Sequence, residues 1–223
     1  MTKCFAASLL ATCMLVSGCT STLVKPDQYS GFLQDYSRLS EQQSPSGVKV
    51  ARWVDPNLDV SRYTQVYIEP SKFYPAPQPN SRIPQATLQG ITSYYDQALK
   101  RELSKVIRVS NSPSNDTLVI RPAITAVSAE TEGLKPYEVI PIALVVAAAT
   151  TAAGERDQQV EIATEASFVD ASNGKVVAEV VRKGTGTDLE NKKQVLSADD
   201  VKPVIDSWAN DMRLSVEQLR AKR

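Results

Sequence analysis

Acid–base chemistry in this sequence would have to come from carboxylates, lysine, serine or tyrosine, because its 223 residues include no histidine. That absence removes serine–histidine–acid triads, histidine-ligated zinc and imidazole proton transfer together. Glu130, Glu132, Glu138, Glu161, Glu165 and Asp170 supply carboxylates in the second half of the chain. Glu161 and Glu165, however, fall on the polar side of an alternating run, where solvent exposure accounts for them. Gly184-Thr185-Gly186-Thr187-Asp188 is rich in glycine but lacks the spacing and the lysine of a phosphate-binding loop. These residues make no catalytic constellation, and no cofactor or metal site is expected. The chain reads as a non-enzyme.

One cysteine stands where covalent chemistry is expected. Lys3 followed by the mostly apolar run from Phe5 to Val16 reads as the start of a secretory signal. Leu15-Val16-Ser17-Gly18-Cys19 then resembles the cleavage box of bacterial lipoproteins. The resemblance implies removal of residues 1–18 and acylation of Cys19 with diacylglycerol and palmitate. Thr20 follows, rather than the aspartate that commonly retains such proteins on the inner membrane, so sorting favours the outer membrane, facing the periplasm. Seven small or polar residues between Cys4 and Val24 leave the apolar part far short of the ~20 residues a spanning helix needs.

The mature chain of 205 residues is long enough for one core plus a tether. Lys3 is the only charge lost with the signal, so 24 basic residues face 25 acidic ones and the balance is −1. Such a balance gives nucleic acid nothing to bind. Cys4 and Cys13 leave with the signal and Cys19 carries lipid, so no intramolecular disulfide is expected and the fold must rest on packing.

The elements that would position these residues follow from periodicity. Residues 19–49 are polar and read as a tether, within which Tyr29, Phe32, Leu33, Tyr36 and Leu39 form a patch suited to docking on the domain. A strand is expected over Tyr63–Glu69, and a proline-rich surface loop over Pro75–Pro79. Leu88, Ile91, Tyr95, Ala98, Leu99, Leu103 and Val106 recur at three- and four-residue steps, the stripe of an amphipathic helix from Pro84 to about Val106. In Thr117–Val127, Leu118, Ile120, Ile124 and Ala126 are expected on one face, with Val119, Arg121, Thr125 and Val127 opposite. Pro122 makes that segment an edge strand, a bulged strand or two short ones.

Val160–Val169 alternates cleanly and precedes Asn173-Gly174. A three-residue loop, Ser172-Asn173-Gly174, pairs Phe168 with Ala178 and Ala166 with Val180 and keeps apolar residues together. Ser197 and Asp200 read as a capping box for a final helix whose stripe is Val201, Ile205, Trp208, Met212, Val216 and Leu219. The expected architecture is α+β: an antiparallel or mixed sheet of about four strands, packed by two long amphipathic helices plus one short apolar helix, in a single domain over residues 50–223.

The short helix is expected from the uncharged stretch Val139–Gly154. At ~1.5 Å per residue it would cover roughly 20 Å, less than a bilayer core of about 30 Å. A helix apolar all round must be hidden. It is either central core or an interface at Leu144, Val145, Ala148 and Ala149, where small residues permit close approach of a protein partner or a second copy.

Gly31-Phe32-Leu33 with Tyr36 and Leu39, then Trp53, Asp55-Pro56, and Tyr63 with Val66 and Pro70 resemble an uncharacterised bacterial lipoprotein family, domain of unknown function 3313. The resemblance implies a lipoprotein without an assigned activity and brings no catalytic residues. The expected function is therefore a lipid-tethered, non-catalytic periplasmic binding or assembly domain. The alternatives are a subunit of an oligomeric envelope secretion pore and a carboxylate-dependent cell-wall hydrolase.

Overall fold

The computed structural model describes residues 23–130, 158–191 and 193–221. Eight strands among these residues form one mixed sheet: β1 (Ser40–Gln43), β2 (Lys49–Val54), β3 (Gln65–Ile68), β4 (Lys72–Phe73), β5 (Arg108–Ser110), β6 (Thr117–Glu130), β7 (Gln159–Asp170) and β8 (Val176–Thr185). Their order is β1-β2-β8-β7-β6-β3-β5, with β4 also beside β6. The half from β1 to β6 is antiparallel, and β3, β4 and β5 join in parallel.

The expectation of about four strands is corrected by this sheet. β1, β4 and β5 are edge pieces of two to four residues, too short for periodicity to register. In β2 the alternation is broken by Arg52 and Trp53 standing side by side. Helices α1 (Gln85–Leu103) and α2 (Lys202–Ala221) pack side by side on one face only. The short apolar helix expected within 139–154 lies outside the described residues.

Strand parity decides what the helices cover. Val160 and Ile162 of β7 share a core with Leu88, Ile91, Leu99 and Leu103 of α1 and with Ile205 and Trp208 of α2. β6 changes parity midway: Ile124 pairs with Thr164, Ala126 with Ala163, and Thr125 is the extra residue of a bulge. Val127 therefore joins the helix-side core and Ala126 the opposite one, reversing the expected faces of these two residues. Pro122 sits within this interior strand. The carbonyls of Ile120 and Ile124, which flank it at even spacing, accept from Glu69 N–H and Tyr74 N–H. Its donor-less nitrogen thus faces the gap between the end of β3 and the start of β4, where no ladder bond is lost.

The β7–β8 hairpin has the expected register, Phe168 opposite Ala178 and Ala166 opposite Val180. Gly174 closes its loop at φ +72°, a conformation glycine adopts without a Cβ clash.

The face away from the helices is covered by the chain itself. Residues 23–39 cross it as a strap, burying Val24 and Leu33 against Ala51, Ala163 and Val181, with Tyr29, Phe32, Tyr36 and Leu39 packed around them. Tyr29 and Tyr36 stack at 4.6 Å. Burial overturns the solvent-exposed reading of Glu161 and Glu165, which are 2% and 1% exposed, and the strap covers Glu165 through Ser30 and Tyr36.

Candidate binding groove

On the helix side, alternation aims Arg52 and Val54 of β2, Ala178, Val180 and Arg182 of β8, and Ala166 and Phe168 of β7 toward α2. Near its start α2 lies close to the sheet, because Gly184 has no side chain: a Cβ there would stand 2.2 Å from Val204 Cγ2. Farther along the same stripe Met212 and Val216 are only partly buried and Leu219 is 36% exposed. Between this half of α2 and the sheet lies an open groove with about 90 Å³ of internal space. Val54, Leu118, Phe168, Ala178 and Val180 line it together with Leu58 and Val60 from the turn before β3.

Two guanidinium groups also line the groove. Arg182 pairs with Asp211 of α2 at 3.1 Å, both side chains nearly buried, and Asp211 also accepts the Ser46 N–H. Burial lowers the pKa of Arg182, while Asp211 opposes that shift. Arg52 is half-buried, and its Nε and Nη2 donate to Gln42 Oε1 at 3.0 and 2.9 Å. Burial, then repulsion by Arg182, lowers its pKa, with Asp211 opposing. Glu179, between Ala178 and Val180, points its carboxylate to the opposite face, where Oε2 meets Arg38 at 2.8 Å. The groove is thus apolar with one guanidinium in excess of its carboxylates.

Glu165, Glu161, Glu179 and Asp170 are each held by packing partners. Glu165 accepts from Ser30 N–H at 2.9 Å and Tyr36 O–H at 2.6 Å. Glu161 pairs with Lys183 at 2.8 Å. Arg38 also lies 3.8 Å over the Trp53 ring. Burial raises the pKa of Glu179, with Arg38 opposing. Asp170 is buried at the hairpin, where it accepts from Ser172 N–H and Oγ and pairs with Arg62. Burial pulls its pKa upward, but these partners outweigh burial and leave it low. The side chain of Glu130 and the whole of Glu132 and Glu138 lie outside the described residues. Among the described residues, no cluster of three or more Cys, Asp or Glu side chains is placed to hold a metal. No described helix is long and apolar enough to cross a membrane.

Cys19 and the interface candidates Leu144, Val145, Ala148 and Ala149 lie outside the described residues. The groove itself is not legible in the sequence, because Met212, Val216 and Leu219 continue the helical stripe of Val201, Ile205 and Trp208 without a break. The available signal was charge out of place: Arg52 between Val50 and Val54, and Arg182 between Val180 and Gly184, put arginine on an otherwise apolar face.

These features define an α+β chain whose one sheet carries helices and an apolar groove on one face and an N-terminal strap on the other. The chain belongs to the family described as protein of unknown function, DUF3313, which matches residues 28–212. It is 39% identical over 207 residues to the uncharacterized lipoprotein YdcL of Escherichia coli K12, covering 92% of this chain and 93% of that one. Among solved structures it is similar to XCC0632 of Xanthomonas campestris, at TM-score 0.42 and 13% identity over 76% of this chain and 94% of that one. It is also similar to PelC of Paraburkholderia phytofirmans, a dodecamer, at TM-score 0.37 and 14% identity over 73% and 96%.

Proposed function

We propose that the chain is a lipoprotein, anchored through Cys19 to the outer membrane and facing the periplasm, that acts by binding an apolar ligand in the groove beneath α2. The anchor is supported by the cleavage-box pattern at Leu15–Cys19 and by kinship with a relative described as a lipoprotein. The groove carries the binding role: its lining is almost wholly apolar, yet α2 leaves it open where the same stripe closes tightly a few turns earlier. Burying apolar ligand surface there contributes about 25 cal/mol per Å².

Photolabelling tests the site. The lipidated chain, in lipid nanodiscs, is irradiated with an alkyl diazirine probe and the labelled peptides are mapped. Label concentrates in residues 177–180 and 212–219. Ser215→Trp, which places an indole at the groove lining, removes it while the rest of the labelling pattern stays. Label spread evenly over the surface, or unchanged by S215W, contradicts the reading.

A further inference from the structure

We infer that the groove's occupant is an alkyl carboxylate, its head group on Arg52 and the first part of its chain along the apolar floor. The inference rests on the groove reading above and deepens it. Of the two guanidinium groups lining the groove, Arg182 has Asp211 as its counter-ion at 3.1 Å. Arg52 meets a neutral acceptor instead: Nε and Nη2 both donate to the single oxygen Gln42 Oε1. No carboxylate among the described residues pairs with it. Gln42 engages one edge of the guanidinium plane, which leaves Nη1 and the second Nη2 hydrogen as a fork for a ligand. A planar carboxylate accepts such a fork in two parallel hydrogen bonds, strengthened by charge.

The floor gives the chain direction. Arg52, Val180 and Ala166 share one cross-strand row, and Val54, Ala178 and Phe168 share the next. A head group at Arg52 therefore places the alkyl chain over Val54, Ala178 and Phe168, toward the Leu58 and Val60 turn. The Arg182–Asp211 pair stands beyond Arg52 on the other side and keeps the apolar end from entering in reverse. A neutral alkyl chain would fill the floor but leave the half-buried Arg52 guanidinium with only the Asp211 charge, already paired to Arg182, to offset it.

Competition against the diazirine probe in nanodiscs separates this assignment from the groove reading. Dodecanoate displaces groove label at a concentration about tenfold or more below dodecanol, as a charge-assisted pair requires. Arg52→Gln brings the two competitors level. Arg52→Lys, which keeps charge but not the fork, restores only part of the preference. Equal competition in the unaltered chain, or a preference that survives R52Q, overturns the carboxylate assignment while groove label upholds the groove. A lysophospholipid that outcompetes dodecanoate overturns it as well, in favour of a phosphate head group. Absence of groove label overturns both.

Discussion

Tyr36 shows how one side chain can hold a segment that has little secondary structure of its own. Its phenol donates to Glu165 at 2.6 Å and accepts the N–H groups of Gly31 and Leu33 at 2.9 and 3.1 Å. Removing the hydroxyl leaves a buried carboxylate with one partner fewer. Tyr36→Phe should therefore lower stability by about 1–3 kcal/mol, with the loss first visible as faster amide exchange across residues 29–39. Burial, then Glu165, pushes the Tyr36 pKa up to about 12. A group whose folded pKa is raised contributes stability that is whole below its unfolded value, near pH 10, and is lost as pH rises through about 12. Tyr63 is pushed to about 12 as well, by burial and then Asp170. Burial raises the pKa of Tyr95 too, so an alkaline titration followed by tyrosinate absorbance should show a late-ionising set that includes Tyr36, Tyr63 and Tyr95, and Y36F should remove one equivalent from it. Ionisation of every tyrosine near pH 10 before unfolding would contradict the packing of the strap. None of this was legible in the alternation of β7, which gives the parity of Glu165 but not what lies over it.

At the scale of elements, the strong periodic signals gave the right objects and the weak ones did not. The stripes of α1 and α2 and the alternation of β7 carry enough apolar residues to fix element type and the pairing of Phe168 with Ala178. The loop, however, is the four residues 171–174 rather than Ser172–Gly174, because the register shifts between Phe168 and Val169 and sets Asp170 opposite Lys175. β2 was invisible because Arg52 faces the groove while Trp53 faces the strap under Arg38, so neither side reads as uniformly apolar or polar. The Thr125 bulge was invisible because a parity change costs one residue and leaves no composition mark. Close approach at the other end of α2 has a sharper signature. Gly186 donates to Val160 O at 2.8 Å, and a Cβ on it would meet the Asp200 carbonyl oxygen at 2.3 Å. Backbone cannot swing aside as a side chain can, so Gly186→Ala should destabilise by about 1–3 kcal/mol in thermal or denaturant melts. An unchanged melting temperature would mean that the turn before α2 is not seated as described.

For the whole molecule, the sheet separates two tasks. One face is sealed by the strap, whose first described residue, Leu23, follows Cys19 by only four positions. At ~3.3–3.6 Å per extended residue, a lipid on Cys19 would hold the domain within roughly 15 Å of the bilayer surface while the strap stays docked. The other face keeps a groove whose apolar floor and unmatched Arg52 suit a single-chain amphiphile, and such a ligand would have a short path from a membrane. The fold class could be read only in outline from the sequence, since the edge strands and the covering of the second face arise from contacts between distant segments. The groove was less legible still, because it is defined by where packing stops.

Native mass spectrometry of the lipidated chain, extracted in mild detergent and titrated with dodecanoate, tests the groove most directly. The account predicts uptake of one saturable equivalent, abolished by S215W in a protein that still melts cooperatively. Uptake that is non-stoichiometric, or equal in S215W, would contradict it.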